Sequence, residues 1–298
     1  MLIQLSFFGI LCIPVLVRVA FLTLLERKLL RLVGFRLGPY KVSFLGILQP
    51  IGDAVKLANK GLNYLSRFSF FFYYSSSALI LLASLVLFLC LNLNIAPISL
   101  KFSLLFLLLI LGFNSLNSIL SGWRAYSKFS LVGSIRTVSQ LISYEAVLYV
   151  CIFFIVLCFG SFNIPGYSFF FAPLCLLCFL PCFFIWIPSM LAELNRTPYD
   201  FSEGERELVR GFNTEFGSGC FTLIFLAEYG RMVFFSVITS FLFFSPFNFL
   251  FFFFFFFFLI WIRSVLPRFR FDKLMALAWK FLIPFLTFFY CLFVFFFV

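Results

Sequence analysis

Carboxylates are scarce in this 298-residue chain, and most are gathered in one place. Seven of its eleven acidic residues fall in a single stretch: Glu193, Asp200, Glu203, Glu205, Glu207, Glu215 and Glu228. An eighth, Glu145, stands alone in an apolar run. Coupled carboxylates in a low dielectric titrate as a group, with some proton affinities raised toward neutrality. That is the chemistry of a proton relay. The chain has no His, so the commonest general acid–base group and the commonest haem and metal ligand are both missing. Cys175, Cys178 and Cys182 have metal-like spacing but lie in PLCLLCFLPCFF with no fourth ligand nearby. They read as small apolar helix residues, and no metal is expected.

A blander reading of the acids exists. If 202–212 is helical, Glu203–Arg206 and Glu207–Arg210 form i, i+3 pairs, and the loop is a solvated helix laced with weak ion pairs. Glu145 and Glu228 favour the relay, because exposure to lipid within an apolar span is costly. Glu193 and Glu215 bracket the loop where it meets the membrane.

The elements that must position these acids are membrane spans. The chain is 64% hydrophobic and 11% charged, against about 45–50% and about 25% for soluble domains. No hydrophilic segment is long enough to fold alone, so residues 1–298 form one membrane domain. Fifty-four residues are Phe, with an unbroken run over 251–258. That run is read as drift toward T-rich codons, tolerated because lipid accepts any bulky apolar residue. About 20 apolar residues cross a bilayer. On that measure spans fall at 2–25, 70–93, 101–121, 131–159, 168–191, 217–243, 246–262 and 274–297. Pro173, Pro181 and Pro188 are expected to kink the fifth. The expected class is an all-α polytopic membrane protein with about eight transmembrane helices.

Charge gives the orientation. The loops after spans one, three, five and seven carry eighteen of the 22 basic residues. The positive-inside rule places those loops on the cytoplasmic side or its mitochondrial equivalent, the matrix. They include the first loop (26–67), the acidic loop (193–216) and the basic loop (263–273). This bias accounts for the net charge of +11 without nucleic acid. Within the first loop, helical spacing from Pro50 sets Ile51, Val55, Ala58 and Leu62 on one face and Asp53, Lys56 and Lys60 opposite. That pattern predicts a short amphipathic helix lying at the interface. The basic residues of the loop, Arg27, Lys28, Arg31, Arg36 and Lys41, could anchor to anionic lipid. They could equally form a cationic entrance to a cavity, facing Arg263, Arg268 and Arg270.

Four stretches carry a family resemblance. LLERKLLRLVGFRLGPYKVSFLGILQPIGDAVKL resembles the first loop of subunit 1 of the NADH–ubiquinone oxidoreductases, the respiratory complex I, of the mitochondrially encoded type. GWRAYSKFSLVGSIRTVSQLISYE, AELNRTPYDFSEGERELVRGFNTEFGSGCFTLIFLAEY and RSVLPRFRFDKLMALAWKFLIPFLT are similar to its fourth-span entry, its acidic loop and its last loop and span. The resemblance implies a proton-translocating enzyme complex of the mitochondrial inner membrane, with no complete active site in this chain. It implies ubiquinone as substrate in a shared cavity, other membrane-arm and hydrophilic-arm subunits as partners, and no flavin, iron–sulfur cluster or metal here. By motif, Glu145, Glu193, Asp200, Glu203, Glu205, Glu207, Glu215 and Glu228 match the proton path. Arg27, Arg36 and Arg263 match positions lining the quinone cavity. The sequence departs from the family pattern at Arg31, Leu32, Gly34, Tyr40, Gly61 and Leu194, and Arg206 and Arg210 add positive charge beside the central acids.

Two other classes use the same residues. A proton or cation transporter would employ the carboxylates, but the halves show no convincing inverted repeat. An assembly scaffold would need none of them. No G-x-G-x-x-G follows a strand, so NADH is not expected to bind this chain.

Overall fold

Apolar runs of this length bury all backbone hydrogen bonds only as helices when lipid surrounds them. The computed structural model describes residues 2–39, 46–59, 70–91, 101–125, 127–164, 173–200, 216–244 and 248–297. Its elements are α1 (Leu2–Val33), α2 (Gln49–Ala58), α3 (Phe70–Val86), α4 (Ser103–Arg124), α5 (Lys128–Phe159), α6 (Pro173–Glu193), α7 (Ser218–Phe243), α8 (Asn248–Val265), α9 (Phe271–Ala276) and α10 (Ile283–Phe297). A 3-10 turn, Leu87–Leu91, extends α3, and a π-helical stretch, Leu277–Leu282, joins α9 to α10 in one rod. No strand occurs among the described residues. Among the described residues five stretches are long and apolar enough to cross a membrane: Tyr74–Leu91, Ser103–Arg124, Lys128–Cys158, Gly219–Phe243 and Phe271–Phe295. Shorter apolar helices cover Leu180–Glu193 and Leu250–Val265. The architecture is all-α and polytopic.

Local chemistry sets the helix ends. Ser127 caps α5 by accepting from the Ser130 amide at 3.3 Å, and Gly160 closes the same helix in the left-handed region at φ 67°, where a residue without Cβ carries no steric penalty. The expected polar loop 122–130 is only a turn, because α4 runs on to Arg124 and α5 starts at Lys128. Pro173 was expected to kink the fifth span; it stands at the first position of α6 instead, where its missing N–H costs no hydrogen bond. Pro181 and Pro188 do lie inside that helix. In α2, Pro50 occupies the first turn, and Ile51 and Val55 are exposed on one side.

Helix α5 is the central post. It packs between α4 and α6 and buries Tyr144, Val147, Leu148, Cys151 and Ile155. Helix α7 packs against α3, α1 and α8, with Phe234 and Phe235 fully buried. Lipid offers no hydrophobic gain for helix pairing, so small and hydroxyl residues mediate the close approach. Ser115, Ser118 and Ser121 of α4 and Ser134 and Thr137 of α5 are buried and donate to carbonyls three residues back. Near the α4–α5 turn a Cβ built on Gly122 would collide with the Ser134 side chain. Glycine is required there by the approach of the two helices.

Candidate functional site

Helical spacing carries three ionisable groups inward. On α6, Trp186, Met190 and Glu193 recur at steps of four and three, which share one face; all three are fully buried. On α5, Glu145 follows Leu141 by four residues and is 5% exposed. On α7, Arg231 is 5% exposed. Glu193 interacts electrostatically with both Glu145 and Arg231, and Tyr149 interacts with both acids. Glu145 also bonds the Ser115 hydroxyl of α4. Both carboxylate oxygens of Glu193, Oε1 of Glu145 and Nε of Arg231 have no hydrogen-bond partner among the described residues. A buried group left this way carries its full desolvation cost, so the inner acids form a strained electrostatic group.

A second network lies beside it. Glu26, at the inner edge of the basic stretch of α1, is only 3% exposed. Arg196 Nη1 donates to both of its oxygens, at 3.2 and 3.1 Å. The Arg263 guanidinium and the Tyr229 hydroxyl donate to it as well. The Arg196 guanidinium also stacks 4.2 Å over the Tyr229 ring and interacts with Glu228. Glu26 lies beyond the apolar stretch that ends at Leu25. Burial pushes its pKa up, but Arg196 and Arg263 outweigh that and hold it below the ordinary carboxylate range.

Two elements serve both networks. Helix α7 supplies Tyr229 to Glu26 and Arg231 to Glu193, two residues apart and about 3 Å along the axis. The end of α6 supplies Glu193 to one network and, three residues later, Arg196 to the other. The turn after α6 is clamped from two sides. Gln140 of α5 donates from Nε2 to the carbonyls of Ala192 and Tyr199, both at 2.9 Å. Tyr199 stacks on Phe269 at 5.5 Å, the Phe269 amide donates to the Pro198 carbonyl at 3.1 Å, and Asp200 pairs with Arg268 at 3.6 Å.

The sequence-derived candidates therefore separate. Glu145 and Glu193 are brought together with Arg231. Glu228 is half-buried on α7 and interacts with Arg196. Asp200 faces Arg268. Glu203, Glu205, Glu207 and Glu215, with the expected helix over 202–212, lie outside the described residues. Arg263 joins Glu26. Arg27 instead pairs with Asp53 of α2 at 2.6 Å, aided by a Gln49 Nε2 bond to Asp53 at 3.0 Å. Arg36 is exposed after α1, its carbonyl accepting from Arg31 Nε at 3.0 Å. Sequence reasoning did not place Glu26, Arg196, Tyr229 or Gln140 in the site. The one available signal was that Glu26 follows Leu22 and Leu25 at helical spacing. Beside Glu26, α1 and α8 enclose an apolar groove of ≈460 Å³ lined by Leu29, Leu30, Val33, Phe254, Phe258 and Trp261. No group of three or more metal-ligating side chains occurs among the described residues.

Fold and site define a polytopic all-α membrane protein whose helices hold buried carboxylates against guanidinium groups. Comparison with known proteins narrows this. The NADH dehydrogenase family profile matches residues 7–294. The NADH-ubiquinone oxidoreductase chain 1 of Anopheles gambiae is 42% identical over 287 residues, covering 92% of this chain and 90% of that one. The protein of the same name from Branchiostoma lanceolatum is 39% identical over 280 residues, covering 91% and 89%. The chain belongs to the NADH dehydrogenase family.

Proposed function

We propose that this chain is the membrane subunit of a proton-pumping NADH:ubiquinone oxidoreductase that forms the membrane part of the quinone cavity and links quinone reduction to proton translocation. It works in the mitochondrial inner membrane as one domain, with loops 26–67, 193–216 and 263–273 facing the matrix. Electrons arrive from NADH through other subunits. Ubiquinone takes two electrons and two protons to become ubiquinol, and this chain shapes the surroundings in which that charge changes hands.

The observation that carries the reading is the sharing of α7 and the α6 end by two charge networks. Arg263, half exposed on the outer side of Glu26, is the group nearest to an incoming quinone head, and Arg27 and Arg36 extend the cationic rim. The apolar groove between α1 and α8 suits an aliphatic tail. A change of charge at Arg263 alters the hold on Glu26 and, through it, on Arg196. Arg196 sits three residues from Glu193. The inner acids, Glu193 and Glu145, then gain or release a proton, and Asp200, Glu203, Glu205, Glu207, Glu215 and Glu228 extend the path toward the surface.

Proton counting tests this directly. In the assembled complex, Glu193→Gln is expected to lower protons translocated per NADH oxidised by about tenfold or more, with NADH oxidation by an artificial electron acceptor unchanged. Normal pumping at normal assembly would sink the proposal. A photoreactive quinone-site inhibitor should label residues of loop 26–67 or 263–273; a transporter or a scaffold would show no such labelling.

A further inference from the structure

The rod formed by α9, the π-helical stretch and α10 is the least covered of the five long apolar spans found among the described residues. Of its apolar window 11% is buried, against 50–61% for the other four. Its covered side faces α5. The Tyr144 hydroxyl donates to the Leu274 carbonyl at 3.1 Å, the Trp279 indole donates to Ser143 Oγ at 3.2 Å, and Phe289 and Phe293 pack on Phe154. The rest of the rod presents Phe281 at 68% exposure, Phe285 at 52% and Phe288 at 64%. Between Trp279 and Phe281 stands Lys280, also exposed.

Aromatic rings cost nothing in lipid, but an ammonium is among the most costly groups there. Lys280 lies nine residues into the rod, about 13 Å from its start and about 10 Å beyond Lys273. Its four-carbon stem reaches about 6 Å, too short to bring the charge level with Lys273 and the headgroups. No ion pair or hydrogen bond to Lys280 occurs among the described residues. The contrast with Arg231 is informative. That cation also lies within a span, but it is buried beside Glu193 of its own chain. Asp272, the acid on the same rod, is occupied by Arg270 at 3.0 Å. Among the described residues no acid pairs with Lys280, which leaves its ammonium open to a counter-charge from another chain.

We propose that this face receives a transmembrane helix of another polypeptide, apolar along its length and carrying one Asp or Glu at the depth of Lys280, which pairs with the ammonium. Phe281, Phe285 and Phe288 flank the pair and exclude lipid headgroups from it. The proposal does not depend on the quinone reading; it holds whether or not the two charge networks conduct protons.

A membrane-permeant carbodiimide, applied to membranes that hold the assembled complex, tests it by joining an amine to a contacting carboxylate. Peptide mass spectrometry should find Lys280 in an amide with an acid inside an apolar segment of a second polypeptide. Lys280→Met should lower incorporation of the chain into the complex by about tenfold, Lys280→Arg should retain most of it, and exchanging the two charges should restore it. Two results would overturn the idea. One is wild-type assembly of Lys280→Met without any such cross-link. The other is native mass spectrometry showing that Lys280→Met loses only a co-purifying anionic phospholipid, which would assign the face to lipid.

Discussion

Two buried acids a few residues from shared elements are treated in opposite ways. Glu26 receives hydrogen bonds from Arg196, Arg263 and Tyr229. Glu193 is equally buried but has no donor on either oxygen among the described residues. A carboxylate saturated with cationic donors has one favoured protonation state and acts as a fixed part. One buried beside another acid, with Arg231 as its cation, is not fixed by donors in this way. The comparison supports the proposal that the Glu26 network aligns the helices while Glu193 and Glu145 exchange protons.

The largest effect should come from emptying the saturated site. Glu26→Ala leaves Arg196 and Arg263 facing each other without their anion, and breaking a buried pair this way costs about 3–5 kcal/mol. Thermal unfolding of the complex in lipid nanodiscs should show it as a large drop in midpoint, and an unchanged midpoint would erase the distinction drawn between the two acids. Glu193→Gln should do the reverse: it replaces a buried carboxyl group that has no donor among the described residues with an amide of similar size, so stability should stay level or rise in the same assay while pumping falls.

A smaller effect concerns the joint between the networks. Gln140→Leu removes both bonds to the turn after α6; the Ala192 carbonyl keeps the Asn195 amide at 3.2 Å, while the Tyr199 carbonyl loses its Gln140 donor, at about 1–3 kcal/mol. Hydrogen exchange should increase over 194–200. Acid titration sharpens the comparison further. The folded-state pKa of Glu26 lies below its unfolded value, so its contribution is present above about pH 4.3 and is lost as pH falls through the lower folded value. Unfolding followed through that range should be steeper for the native chain than for Glu26→Gln. Smallest of all, Arg27→Gln breaks a pair whose side chains are 50% and 32% exposed, and should cost no more than about 1 kcal/mol.

The helical rods were legible because lipid demands long apolar runs, and the run lengths alone set their number and approximate bounds. The extent of α1 was not. Arg27, Lys28 and Arg31 end the apolar stretch, but Lys and Arg are good helix formers, so the helix continues to Val33. The same confusion hid Glu26. Among so many cations it read as one charge in a surface loop, and its partners Arg196 and Arg263 lie 170 and 237 residues away, beyond any spacing rule. Glu145 carried a stronger signal, the cost of an acid in an apolar run, and Glu193 was marked by its place where the acidic loop meets the membrane. Arg27 and Arg263 shared a motif-based assignment, yet one reaches across to α2 and the other turns inward to Glu26. Sequence could not separate them because that choice depends on where α8 sits against α1.

The meeting of α4 and α5 at Gly122 also bounds how freely this chain can vary. Over much of its surface one oily residue serves as well as another, as at Phe253, Phe254 and Phe257 of the phenylalanine run. At Gly122 even a single methyl group would drive the two rods apart and tilt Glu145 off its neighbours. Composition is free to vary on the outside of this protein and is fixed where a helix backbone presses on its neighbour, as Gly122 does on Ser134.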